Sequence, residues 1–89
     1  MAKEHIAQKL LQIPAWKLVG DSLLRTFEFN DFVDAMAFVN KVAQVAETLE
    51  HHPDIAIAYN KVTLTLSTHS AGGLTQKDFD LARAIDSIA

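Results

Sequence analysis

Apolar residues recur along the chain with two different periods. Between Val62 and Ser67 they alternate, with Val62, Leu64 and Leu66 set against Thr63, Thr65 and Ser67, the period-two signature of a half-buried strand. From Phe32 to Leu49 the spacing is helical instead. Phe32, Ala35, Met36, Phe38, Val39, Val42, Ala43, Val45, Ala46 and Leu49 cover about half of a helical wheel, more than the roughly 100° stripe that a core requires. The surplus predicts that part of this helix faces another subunit. Asn30 or Asp31 can cap its start by accepting a bond from a first-turn amide. Pro53 disfavours helical backbone at His52, so the helix is predicted to end at about Glu50 and the chain to extend beyond it.

The remaining elements follow from the same reading. Ile6, Leu10, Leu11 and Ile13 predict a short amphipathic helix over Glu4 to Ile13, stopped by Pro14. Trp16 to Val19 and Leu23 to Phe29 flank the turn signal Gly20-Asp21 and read as a hairpin, with Leu23, Phe27 and Phe29 on one face. Ile55, Ile57 and Tyr59 alternate with small residues in a third strand, and Val62 to Ser67 form the fourth. If that fourth strand continues regularly, His69 falls on its polar face and is accessible. Thr75 to Asp78 resembles a capping box with Asp in place of Glu, opening a last helix with Phe79, Ala82, Ile85 and Ile88 inward. The predicted order is α-β-β-α-β-β-α, an α+β fold with a four-stranded antiparallel sheet and helices on one face.

A chain of 89 residues with 49% apolar content supports one domain with one core over residues 1–89. A core this small gives limited stability, which favours a homo-oligomer. The absence of cysteine excludes disulfides, thiolate metal sites and cysteine nucleophiles. A net charge of -3, with eight scattered basic residues, supplies no patch for direct nucleic-acid binding or for an anionic membrane. Neither a signal-peptide pattern nor a long apolar run is present, so a cytoplasmic location is expected. A small molecule or a protein partner remains.

Three of the four histidines, His51, His52 and His69, fall at predicted loop junctions. Imidazole exchanges protons near neutral pH at low cost, and positioned acid–base groups contribute roughly 10²- to 10⁴-fold. Each candidate also has a structural explanation. His51 can complement a helix dipole, Asp78 can cap a helix, Glu47 and Glu50 can solvate an exposed face, and Trp16 and Tyr59 can be packing residues. Imidazoles with a carboxylate could also ligate zinc. Against that, adjacent histidines rarely point at one ion, and the chain has no HExxH segment or helical i, i+4 histidine pair.

The run Glu47, Thr48, Leu49, Glu50, His51, His52, Pro53, followed by Tyr59 to Val62, by Ser67, Thr68, His69, and by Asp78, resembles the signature of pterin-4a-carbinolamine dehydratases. The likeness extends through Ala71 to Thr75, takes in Trp16, and covers roughly residues 14 to 88. Ile55 to Ala58 lacks the polar or aromatic residues many relatives carry there, and Ser70 replaces a common acidic residue. The resemblance implies a four-stranded antiparallel sheet with helices on one side, and a homodimer or homotetramer. It implies dehydration of 4a-hydroxytetrahydrobiopterin to quinonoid dihydropterin, in a recycling pathway served by aromatic amino-acid hydroxylases, without metal or other cofactor. It assigns His51 and His69 as acid–base groups, His52 as mainly a binding group, and Glu47 and Asp78 as tuning residues, with Trp16 and Tyr59 on the substrate side. Animal relatives also bind a homeodomain transcription factor, so a non-catalytic dimerisation or assembly role is the alternative.

Overall fold

The computed structural model describes residues 1–89. In chain order the elements are α1 (Lys3–Leu10), β1 (Lys17–Val19), β2 (Ser22–Glu28), α2 (Phe32–Leu49), β3 (Asp54–Ala58), β4 (Lys61–Leu66), a 3-10 turn (His69–Ala71) and α3 (Gln76–Ile88). The strands form one antiparallel sheet in the order β1-β2-β4-β3. Both the element order and the α+β class are those the alternation and helical spacing predict.

The sheet register explains why only one face is covered. Leu23 pairs with Leu66, Arg25 with Leu64 and Phe27 with Val62, while Leu24, Thr26 and Glu28 oppose Thr65, Thr63 and Lys61. Opposed residues share a face in an antiparallel pair, so one side is almost wholly apolar and the other carries the threonines, where Thr26 and Thr63 share a hydroxyl hydrogen bond of 3.0 Å. The helices bury the apolar side. Ala35, Phe38, Val42 and Ala46 of α2 and Phe79, Leu81, Ala82 and Ile85 of α3 are buried there with Leu23, Val62, Leu64 and Leu66. Phe38 stacks between Phe27 and Phe29, with ring centroids 4.6 and 5.0 Å away. Arg25 is the charged residue on this face; its guanidinium crosses the Phe27 ring at 4.1 Å and ends on Asp86 of α3 at 2.6 Å.

The element ends depart from expectation in instructive ways. Helix α1 stops at Leu10, short of the predicted Ile13. Pro14 restricts Ile13 to extended backbone, and a turn bond from the Ile13 amide to the Leu10 carbonyl tucks its side chain into the core while Leu11 points to solvent. Strand β2 runs one residue earlier than expected, but Phe29 still bonds across the sheet end to Asn60 through its amide and its carbonyl. Strand β4 ends at Leu66, so His69 is accessible because it opens a 3-10 turn, not because strand parity carries it there.

The capping of α2 fixes where the histidine pair begins. Asp31 accepts from the Asp34 amide at 2.9 Å. At the other end Glu50 adopts φ 53, in the left-handed region, while the His51 amide bonds back to the Ala46 carbonyl and the Glu50 amide to that of Glu47. This is the Schellman closure, which usually uses glycine at the left-handed position. A side chain there costs roughly 1–2 kcal/mol, against roughly 0.5–1 kcal/mol for the greater unfolded freedom of glycine. Glu50→Gly is therefore expected to raise stability by about 0.5–1 kcal/mol, measured as a higher denaturation midpoint at unchanged slope.

Candidate active site

The Schellman closure turns the chain sharply after α2 and delivers His51 against the first turn of α3. There the His51 Nε2 lies 2.6 Å from Asp78 Oδ1. Asp78 is fully buried and the His51 side chain is 12% exposed. The other carboxylate oxygen, Oδ2, accepts from the Thr75 amide at 2.9 Å and from the Thr68 hydroxyl at 2.7 Å. Asp78 thus closes the predicted capping box with one oxygen and holds a histidine with the other. No buried side-chain polar atom is left without a partner.

Because a carboxylate only accepts, the contact with Asp78 assigns the hydrogen of a neutral His51 ring to Nε2 and leaves the Nδ1 lone pair free. An imidazole held this way can take a proton at Nδ1 while the carboxylate stabilises the cation that results. His52 follows directly and its Nε2 pairs with Glu47 Oε2 of the last turn of α2. Both partners are largely exposed. The two adjacent histidines therefore meet two different carboxylates, one buried and one solvated.

His69 reaches the same neighbourhood from β4. Thr68, just before it, bonds Asp78 and is held by backbone bonds with Gly73 and Ala71. The exposed His69 ring borders a cavity of about 290 Å³ shared with Asp21, Ser22, Ser67, Thr68, Gly72 and Gly73. Asp21, Gly72 and Gly73 also line a second cavity, of about 320 Å³, whose other walls include Ile6, Leu18 and Leu74. The result is a polar recess beside His69 continuing into a partly apolar one. No group of three or more histidine and carboxylate side chains is arranged around a common point to hold a metal ion.

Among the residues singled out from sequence, His51, His52, Glu47 and Asp78 form two adjoining pairs, and the Asp78 to Thr68 bond ties His69 to them. Tyr59 lies elsewhere. It occupies the β3–β4 turn at φ 54, at the other end of β4 from Thr68, a strand length of roughly 17 Å at ~3.3 Å per residue over Lys61–Leu66. Trp16 is buried in the core, where its Nε1 donates to Asp86 at 2.8 Å and its ring meets Phe27 edge-on. The structure adds Thr68 and Asp21 to the site. For Thr68 the Ser67-Thr68-His69 segment was the available signal; for Asp21 there was only a turn.

Residues 1–88 match the family model described as pterin 4 alpha carbinolamine dehydratase. A curated relative from Acidobacterium capsulatum, provisionally named pterin-4-alpha-carbinolamine dehydratase, is 58% identical over 99% of this chain and 96% of its own length. A similarly named protein from a Cyanothece species is 54% identical over 96% of this chain and 88% of its own. Among solved structures, a transcriptional coactivator/pterin dehydratase from Brucella melitensis superposes with a TM-score of 0.94 at 36% identity, covering 100% of this chain and 97% of that one. A pterin dehydratase-like RuBisCO assembly factor of the alpha-carboxysome shares the fold, with a TM-score of 0.71 at 24% identity over 84% and 89% of the two chains.

The two carboxylates are expected to differ sharply in structural weight. Asp78→Ala removes a cap and leaves buried donors unpaired, a loss of about 2–3 kcal/mol. Glu47→Ala breaks an exposed pair and costs about 0.5 kcal/mol or less. Urea unfolding of both variants measures the difference.

Proposed function

The chain belongs to the pterin 4 alpha carbinolamine dehydratase family, and on that premise we propose that it dehydrates 4a-hydroxytetrahydrobiopterin by histidine acid–base catalysis. The reaction breaks the bond between C4a and its hydroxyl oxygen, removes the proton on N5 and forms the C4a=N5 double bond of the quinonoid dihydropterin. Water carries away the hydroxyl together with a proton supplied to it. One group must protonate the leaving oxygen and another must accept the N5 proton, a task suited to two imidazoles near neutral pH.

The observation that carries this reading is the buried Asp78 bound to His51 and, through Thr68, to the segment bearing His69. His51, with Nδ1 free, and His69, on the rim of the cavity, serve as the acid–base pair. His52, solvated and paired with Glu47, binds the substrate, and Glu47 and Asp78 orient the rings. Trp16 supports the site through the core rather than by touching substrate. Recycling of a pterin oxidised by an aromatic amino-acid hydroxylase, in the cytoplasm, belongs to the same reading, as does a single domain without resident metal. No helix is long and apolar enough to cross a membrane.

A homo-oligomer is part of the proposal. Edge strand β3 exposes its backbone, and Ile55 and Ile57, on the helix-facing side, remain 37% and 39% exposed. An unpaired apolar edge of this kind invites pairing with another strand. A two-fold axis at Ala56 would pair two copies of β3 antiparallel, the self-complementary arrangement usual in dimers. Phe32, Val33 and Leu49 of α2 are also exposed and offer a second contact toward a tetramer. Ile57→Lys is expected to halve the mass measured by light scattering, from a dimer to a monomer or from a tetramer to the dimer that the α2 contact holds. A native chain that is already monomeric at high concentration would overturn the β3 assignment.

The activity itself is tested by following 4a-hydroxytetrahydropterin dehydration by ultraviolet absorbance with chelator present. The intact chain is expected to accelerate the reaction, and His51→Ala and His69→Ala each to lose about 10²-fold or more. No acceleration, together with capture of a protein partner through the exposed faces of α2 or β3, would favour the assembly role instead.

A further inference from the structure

Thr68 is the link between the two histidine-bearing segments. Its hydroxyl lies 2.7 Å from Asp78 Oδ2 and 2.9 Å from the Thr75 hydroxyl. A hydroxyl has one hydrogen to give. Since the carboxylate oxygen only accepts, Thr68 donates to Asp78 and accepts from Thr75. The directions of the network are then fixed: Thr75 hydroxyl to Thr68 hydroxyl to Asp78, with the His51 Nε2–H arriving at the carboxylate from the other side. Asp78 Oδ2 is held by the Thr75 amide as well, but that bond is made by the N-cap of α3 itself and fixes the carboxylate to its own helix only. The Thr68 hydroxyl holds it to the segment that follows β4.

We propose that Thr68 is a positioning residue of the acid–base site, fixing through Asp78 the rotamer and the protonated nitrogen of His51. This rests on the reading that His51 is an acid–base group. Without the Thr68 hydroxyl the Asp78 side chain loses the contact that opposes His51. The carboxylate then keeps only the Thr75 amide on Oδ2, and the His51 ring faces a partner held from one side instead of two. The loop itself should survive, because Thr68 is held to Gly73 and Ala71 by three backbone bonds that a side-chain change does not touch.

The test compares Thr68→Val, which keeps the shape and removes the hydroxyl, with Thr68→Ser, which restores it. Thr68→Val is expected to lower kcat about tenfold with little change in KM, a part of the roughly 10²- to 10⁴-fold that a positioned acid–base group contributes, and Thr68→Ser is expected to recover most of it. On a His51→Ala background the same valine substitution should cost almost nothing further, since residues acting through one another are not additive. Nitrogen-15 NMR of the His51 ring gives a readout independent of turnover: the Nε2–H form in the intact chain and in Thr68→Ser, and a mixed or altered signal in Thr68→Val. A full tenfold loss on the His51→Ala background, a rise in KM in place of the fall in kcat, or an unchanged His51 signal in Thr68→Val would each overturn the proposal. Should the intact chain lack dehydratase activity, the proposed function fails while the ring signal still decides whether Thr68 positions His51.

Discussion

A carboxylate with no access to water must be met by donors, and the geometry of this molecule depends on how Asp78 is met. Burying an ionised group alone costs several kcal/mol. The three donors that remove the cost come from three places: the Thr75 amide at the start of α3, the Thr68 hydroxyl beyond β4 and the His51 ring beyond α2. Satisfying Asp78 therefore brings together the ends of two helices and a strand. The helix cap, a local requirement of α3, and the orientation of a histidine, a requirement of chemistry, are met by two oxygens of one side chain.

The rest of the fold holds those ends in register. The β2–β4 pairing places an apolar row toward the helices, and α2 and α3 close over it with small residues such as Ala35, Ala46 and Ala82 at their buried faces. Asp86 gathers Trp16 and Arg25 at the opposite end of α3, so α3 is tied to the sheet by a carboxylate near each terminus. The helix carrying Asp78 is thus held near both ends, and the histidines reach it from the shorter segments around it, His51 to Pro53 and Thr68 to Gly73.

The covering of the sheet stops short of β3. Val62 and Leu64, one strand inward, are fully buried, while their neighbours Ile57 and Ile55 on the same face are not. Two helices span the width of about three strands and leave the fourth bare. The apolar arc of α2 is wide for the same reason, since Phe32, Val33 and Leu49 lie outside the strip that meets α3 and the sheet.

Periodicity alone determined the element order, the antiparallel sheet and its buried face, because period two and period 3.6 are local properties of the backbone and each strand or helix is long enough to display them. The Thr75 to Asp78 cap and the Asp31 cap were legible for the same reason, as was the candidacy of His51, His52 and His69. The ends were less so: α1 ended early because Ile13 is wanted by the core, and α2 closed on Glu50 in a conformation that sequence preference reserves for glycine. Only the tertiary structure decided that Asp78 serves His51 as well as the helix, that Thr68 joins the network, that Trp16 belongs with Asp86, and that Tyr59 stands at the far end of the sheet. Those facts rest on contacts between residues 10 to 70 positions apart, and no local pattern encodes which donor a buried oxygen will find until the chain has closed around it.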